Sequence, residues 1–246
     1  MMDSPEPLEY CDLPLGTPEE TLAYDEVLLD RCEAGRSAGV LRFWEPAGYF
    51  VVVGYANAVG REVNLEFCGQ RGIPVLRRCS GGGTVLQGPG CLNYSLVLPL
   101  GEEGPLHSIS GTNEFVMERN RQALAGLLPG TVTRHGHTDL ALGEVKFSGN
   151  AQRRRQKAVL FHGCFLLQMN LELIEQALPF PTKAPGYRLG RSHRDFLMNL
   201  GVPAAAVKEA LRQAWNARGA LTKVPLEEIA RLVHEKYGRE EWRFKF

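Results

Sequence analysis

Three consecutive glycines sit in the run Arg77-Arg78-Cys79-Ser80-Gly81-Gly82-Gly83-Thr84-Val85, directly after an apolar segment, Ile73 to Leu76, that reads as a short buried strand. Such a run costs chain entropy. It suits a place where a ligand lies against bare backbone or where several residues take positive φ. The plain alternative is a glycine-rich hairpin turn. The flanking residues argue against it: two arginines precede the turn and a hydroxyl lies inside it, so N–H donors and cationic charge can converge on one anion. The run is not a Walker loop, because no Lys-Ser or Lys-Thr follows at the required spacing. Nor is it a dinucleotide fingerprint, because Val85 to Asn93 reads as turn and strand rather than helix.

Composition narrows the partners of such a site. Among 246 residues, 28 Lys and Arg balance 28 Asp and Glu, which gives no global electrostatic reason to expect nucleic acid or an anionic membrane. No apolar run approaches the roughly 18–20 residues needed to cross a bilayer. Residues 1–33 carry ten acids against the single basic Arg31, which is not a secretory leader pattern. A soluble, cytosolic chain is expected. The six cysteines form no C-x-x-C pair and are expected to be reduced and packed as small hydrophobes. His135 and His137 alternate but lack a third ligand, so no metal site is expected.

Along the chain, residues 1–16 form a Pro- and acid-rich lead-in with an edge strand around Leu8 to Cys11. Thr17-Pro18-Glu19-Glu20 is a helix start with a capping box, and the helix should run to Glu33 and stop at Gly35. Leu41 to Trp44 and Phe50 to Val53 read as two strands joined by a Pro-Ala-Gly turn. Cys91 to Leu98 reads as a longer strand, Asn113 to Leu128 as a helix, and Val159 to Met169 as a strongly apolar strand pair or single long strand. Pro203 to Ala217 and Pro225 to Tyr237 are amphipathic helices closed by Gly219 and Gly238. The pattern predicts an α+β fold: a mixed, largely antiparallel β-sheet with flanking helices, in a single domain over residues 1–246.

Two further clusters carry chemistry. Asp139-Leu140 is followed by Lys146-Phe147-Ser148-Gly149-Asn150-Ala151-Gln152, in which Lys146 is read as closing a short strand before a Ser148-Gly149 turn. Phe161-His162-Gly163-Cys164 interrupts an apolar strand, with Gly163 marking a close approach.

These three clusters, in this order, resemble the lipoate–protein ligase A group of the biotin/lipoate ligase superfamily. That group's pattern is R-R-x-S-G-G-G-x-V, then N-[YF]-S, N-D-[IL], K-[IF]-S-G-[SN]-A and an H-H-G-like segment. Arg77 to Val85 matches completely, Asn93-Tyr94-Ser95 fits the second element, and Lys146 to Gln152 fits the lysine motif. Asp139 stands at the aspartate, preceded by Thr138 where asparagine is usual, and Phe161-His162-Gly163 fits with one substitution. The G-R-G-R-x-G-R-x-W signature of biotin ligases is missing.

The resemblance implies the biotin/lipoate ligase catalytic fold and a two-step reaction. Lipoate attacks the α-phosphate of ATP, with Mg2+, and a lysine of a lipoyl carrier domain then attacks lipoyl-AMP. The carrier is of the 2-oxoacid dehydrogenase E2 or glycine cleavage H protein type. It implies that Lys146 is catalytic, and that Arg77, Ser80, Gly81, Gly82, Gly83, Val85, Ser148, Gly149, Ala151 and His162 bind the lipoyl group or lipoyl-AMP. Asp139 would accept from the adenine amino group. Many lipoate ligases carry a C-terminal accessory domain that has no counterpart here. The resemblance therefore admits either activity without it or a separate small accessory-domain protein, and it admits a transfer-only or non-catalytic homologue as well. Related octanoyl or lipoyl transferases use a cysteine thiol. Their cysteine positions, shortly before the lysine motif or a few dozen residues after it, hold none in Gly130 to Val145 or Asn170 to Phe246. Two basic stretches, Arg153-Arg154-Arg155-Gln156-Lys157 and Arg188 to Arg194, are open to pyrophosphate binding or to docking of an acidic carrier in the first case, and to carrier docking in the second.

Overall fold

The computed structural model describes residues 7–246; the first six residues of the lead-in lie outside it. Its centre is an eight-stranded sheet. In chain order the strands are β1 (Leu8–Asp12), β2 (Val40–Trp44), β6 (Cys91–Pro99), β7 (Val132–His135), β8 (Asp139–Leu142), β9 (Val145–Arg154), β10 (Ala158–Leu166) and β11 (Ala217–Ala220). A second sheet holds β3 (Phe50–Val53), β4 (Val75–Arg77) and β5 (Val85–Gln87). The large sheet is ordered β11-β1-β2-β6-β10-β9-β8-β7 and the small one β4-β3-β5. From β2 to β7 every neighbouring pair in the large sheet is antiparallel; only the β11-β1-β2 end is parallel. The predicted α+β class with a mixed, largely antiparallel sheet is the observed one.

The helices are α1 (Pro18–Glu33), α2 (Val59–Glu62), α3 (Leu65–Gln70), α4 (Ile109–Ala125), α5 (Leu171–Ala177), α6 (His193–Phe196), α7 (Ala204–Ala214), α8 (Leu226–Leu232) and α9 (Glu240–Arg243). The capping box at Thr17 is present: its hydroxyl accepts from the Glu20 amide at 3.2 Å, and Glu20 accepts from the Thr17 amide at 2.9 Å. One face of the large sheet packs on α4 and α7 through Phe43, Tyr94, Phe161, Phe165, Leu211 and Trp215. The other face meets α1 and the small sheet through Leu22, Tyr24, Trp44, Val52 and Leu160. A third cluster places α3 and α5 against the small sheet. The site lies where the second face meets the small sheet.

Several elements differ from the sequence reading. β2 and β3 do not form a hairpin, because the turn between them carries the chain from one sheet to the other. β1 is not an edge strand, since β11 adds outside it. Gly219 lies within β11; α7 ends at Ala214, and the turn that follows has Asn216 at φ +50°. Lys146 does not close a strand. It is the second residue of the ten-residue β9, and the irregularity is a register shift against β8 between Leu140 and Ala141. The basic stretch after the lysine motif belongs to the β9–β10 hairpin. There Arg154 donates to Thr112 at 2.9 Å and to the Leu106 carbonyl at 2.8 Å, and Arg155 pairs with Asp30 at 2.9 Å.

Candidate active site

Pairing of β9 with β10 sets Gly149, Asn150 and Ala151 opposite Cys164, Gly163 and His162. Pairing of β10 with β6 adds Asn93, Tyr94 and Ser95 on the far side. These strands and the glycine turn enclose a cleft with two lobes. An inner lobe of about 80 Å³ is lined by Leu22, Trp44, Val52, Val85, Tyr94 and Ala151, with Asp25, Arg78, Gln87, Asn93, Ser95, Asn150 and His162 as its polar groups. An outer lobe of about 160 Å³ is walled mostly by apolar side chains, among them Leu86, Phe147, Leu166, Ile174, Phe196 and Leu197, and carries Lys146, Lys183, Arg188 and His193 together with Gly83, Thr84 and Ser148. Val85, Gly149 and Cys164 line both lobes, so the two meet there.

Lys146 reaches that junction. Its Nζ lies 2.8 Å from Asp139 Oδ1, and a Cβ placed on Gly149 would stand 2.9 Å from the same nitrogen. Gly149 is therefore the space into which the lysine folds. An ammonium has three donors, and Asp139 takes one. Burial and the neighbouring Arg188 and Lys146 charges pull the His193 pKa below its ordinary value, against the opposing pull of the Pro179 carbonyl and Glu175, so His193 is neutral near pH 7. The lobe's charge is then carried by Lys146, Lys183 and Arg188.

The glycine turn is held from beneath by Arg78, which donates to the Gly81 carbonyl at 2.6 Å, to the Gly83 carbonyl at 2.7 Å and to Ser80 Oγ at 3.0 Å. In a trans peptide the N–H points opposite its carbonyl. The Gly82 and Thr84 amides therefore face away from Arg78, and no backbone acceptor among the described residues takes them. Gly82 has φ +86°. A Cβ on Gly81 or Gly83 would meet nothing within 4 Å, so these glycines leave open space beside the turn. The turn fits only because Gly54 beneath it is also bare, as a Cβ there would stand 2.2 Å from the Gly82 carbonyl oxygen.

Ser80 and His162 belong to a buried relay that includes residues the sequence reading missed. Ser80 Oγ lies 2.6 Å from His162 Nε2, and His162 Nδ1 lies 3.1 Å from Asp25 Oδ2. Arg42 donates to Asp25 Oδ1 at 2.6 Å. Ser80 Oγ also accepts from Arg78 Nε at 3.0 Å, so the serine links the turn to the His162–Asp25 pair. Burial pushes the Asp25 carboxyl up, but Arg42, His162 and Ser95 outweigh it and hold the group ionised, below its usual range. Asp25 carried one signal in the sequence, an acid on the apolar side of α1.

A second relay positions Asn150. Trp215 Nε1 donates to Asn120 at 2.8 Å, Asn120 to the Tyr94 hydroxyl at 2.9 Å, and Tyr94 to Asn150 Oδ1 at 2.6 Å. Asn150 passes directly over Gly163, where a Cβ would stand 1.8 Å from its Oδ1. Gly163→Ala is therefore expected to destabilise the chain by about 1–3 kcal/mol through overpacking. Thermal denaturation checks this, and an unchanged melting temperature would contradict it.

Of the expected residues, Ser80, Gly81, Gly82, Arg77 and Asp139 line neither lobe, and the last two have partners within the protein. The buried guanidinium of Arg77 donates through Nε and Nη1 to the carbonyls of Trp242, Arg243, Gly54, Tyr55 and Asn57, all at 2.9–3.2 Å, while Nη2 has no hydrogen-bond partner. It ties the C-terminal segment to the strand before the turn, and Arg78 holds the place expected of it. Asp139 has one partner on each oxygen, Lys146 at 2.8 Å and the Tyr187 hydroxyl at 2.8 Å, which leaves each oxygen a second lone pair. Ser148 lines the outer lobe and Ala151 the inner. Among the described residues no three His, Cys, Asp or Glu side chains converge on a point, and no helix is long and apolar enough to cross a membrane. The expected Mg2+ therefore has no cage built by the protein alone.

The pattern of the lipoyl protein ligase A/B catalytic domain matches residues 17–213. The chain belongs to that family. It is similar to lipoate-protein ligase A subunit 1 of Thermoplasma acidophilum, with 28% identity over 92% of each chain. It is also similar to the octanoyltransferase LipM of Carboxydothermus hydrogenoformans, with 27% identity over 92% of this chain and 94% of that one. Among solved structures, a lipoate-protein ligase A bound with ATP superposes with a TM-score of 0.80, covering 97% of this chain and 98% of that one at 25% identity. Relatives named as ligases and relatives named as octanoyltransferases thus both resemble this chain.

Proposed function

We propose that this chain activates lipoate with ATP and transfers the lipoyl group to a lysine of a lipoyl carrier domain. In the first step a lipoate carboxylate oxygen bonds to the α-phosphorus, and the bond to the β-phosphate breaks, releasing pyrophosphate. In the second, the carrier amine bonds to the acyl carbon, and the mixed anhydride breaks, releasing AMP. The observation that carries the reading is the Lys146 ammonium at the junction of two lobes, the outer of which also holds Lys183 and Arg188. An acyl chain in the inner lobe and a nucleotide in the outer lobe bring two anions together there, and a fixed cation stabilises the charge that develops between them. The Gly82 and Thr84 amides add donors from the turn. Val85 and His162 line the inner lobe, where they wall the acyl chain. Mg2+ would be held by the nucleotide's phosphates and would neutralise part of their charge.

The ATP-bound relative supports the nucleotide, and the subunit name of the Thermoplasma relative supports a separate accessory protein for this chain. Six unpaired cysteines suit a cytosolic setting. The test is lipoate-dependent ATP–pyrophosphate exchange by the purified chain, alone and with the accessory protein; no exchange in either case leaves a transfer-only or non-catalytic homologue.

The LipM relative favours a second reading, thiol-mediated transfer. Cys164 lines both lobes and is the one thiol placed for it. Burial, though, raises its pKa despite the lowering pull of Lys146 and Arg78, and burial pushes Cys79 up to about 12. A thiol held protonated is a poor nucleophile. Cys164→Ser is expected to leave lipoylation nearly unchanged. Lost activity together with a thioester trapped on the wild-type chain would establish the transferase.

A further inference from the structure

The segment after α5 folds over the outer lobe and brings in Arg188, which is only 3% exposed. Its guanidinium lies between two aromatic rings, 4.6 Å from the centroid of Phe180 and 5.0 Å from that of Phe196. Nε donates to the Arg191 carbonyl at 2.8 Å, and the buried Nη2 has no hydrogen-bond partner. Among the described residues it forms no ion pair: Glu175, the carboxylate whose field reaches it, accepts instead from the Arg194 amide at 3.2 Å. A buried charge without a counter-ion is costly, and the cost is removed when an anion binds.

Its neighbour Arg191 uses each of its three nitrogens on the backbone. It donates to the carbonyls of Arg188 at 3.0 Å, Tyr187 at 2.8 Å and Glu144 at 3.0 Å, and so fastens the segment to the β8–β9 turn. The backbone between the two arginines is strained to hold this shape. Leu189 is 83% exposed and has φ +52°, a left-handed conformation that a leucine adopts only at a cost. The strain is stored where it turns Arg188 inward.

We propose that Arg188 binds the β- and γ-phosphates of the nucleoside triphosphate, the pyrophosphate that leaves in the first step. This rests on the adenylation reading above. Lys146 and Arg188 flank the same ring, with Nζ 6.0 Å and Cζ 5.0 Å from the Phe196 centroid. Lys146 reaches the junction residue Gly149, whereas Arg188 packs on Phe180, half-exposed at the rim. The α-phosphate therefore belongs to Lys146, and the two outer phosphates extend past Phe196 to Arg188. A guanidinium suits this place because its fork grips two phosphate oxygens at once. Lys183 lines the same lobe and adds charge.

The test is calorimetric titration of Mg-ATP, inorganic pyrophosphate and AMP into the wild-type chain and into Arg188→Met, which keeps an apolar stem between the rings, and Arg188→Lys. Arg188→Met should weaken ATP and pyrophosphate by at least about ten-fold, as expected for lost charge-assisted hydrogen bonds, and AMP far less. Arg188→Lys should recover part of that loss. Unchanged ATP and pyrophosphate affinity in a folded Arg188→Met, or equal weakening of all three ligands, overturns the proposal and leaves the adenylation reading standing. A wild-type chain that binds neither ATP nor pyrophosphate overturns both.

Discussion

Lys146→Ala lowers lipoate-dependent ATP–pyrophosphate exchange at least about a hundred-fold, the usual loss when one group that stabilises developing charge is removed. The chain should stay folded. The Lys146 side chain is 23% exposed and makes a single ion pair, with Asp139. A partly solvated pair of this kind contributes about 1 kcal/mol or less to stability. The effect thus separates activity from folding: exchange collapses while the melting temperature barely moves. The Asp139 carboxylate, freed of its partner, keeps the Tyr187 hydroxyl at 2.8 Å. Full exchange activity in Lys146→Ala would remove the role assigned to the ammonium.

Arg77→Met should do the reverse and act on stability. Five carbonyl oxygens accept from this guanidinium, and two of them, on Trp242 and Arg243, belong to α9 and hold the C-terminal segment against β4. Each charge-assisted bond contributes about 1.5–3 kcal/mol, and a buried acceptor left bare adds its desolvation cost. Contributions around one group are not additive, so the expected loss is about 4 kcal/mol. In a chain of this size that lowers the melting temperature by about 10 °C. Cleavage near Trp242 in limited proteolysis should rise with it. Were Arg77 a ligand for the anion instead, the variant would melt normally and bind ATP weakly.

The two arginines show how far sequence reading reaches. Adjacent cations before a glycine turn are equivalent in sequence, yet strand alternation sends them to opposite sides. Arg77 meets the C-terminal segment, whose approach to β4 spans some 165 positions, while Arg78 reaches under the turn. Local patterns marked the glycine turn, the lysine motif and the His162-Gly163 pair, because each is a short run with a backbone reason for its glycines. What the sequence left hidden depends on pairing between distant segments. Asp25 becomes part of the site only because α1 lies across β10, and Lys146 looked like a strand end because the register shift against β8 falls at its partner. The strand β3 was legible, but not its departure into a second sheet, since a Pro-Ala-Gly turn serves a hairpin and a sheet change equally well. Arg188 was visible only as part of a basic stretch. Its burial between Phe180 and Phe196 is a tertiary fact.

The most direct measurement is the intact mass of a lipoyl carrier domain after incubation with this chain, lipoate and ATP, with the accessory protein added in parallel. One lipoyl group should be gained per domain, only when ATP is present, and the gain should vanish with Lys146→Ala. A gain that proceeds without ATP from an acylated carrier donor, or one that survives loss of the Lys146 ammonium, would contradict it.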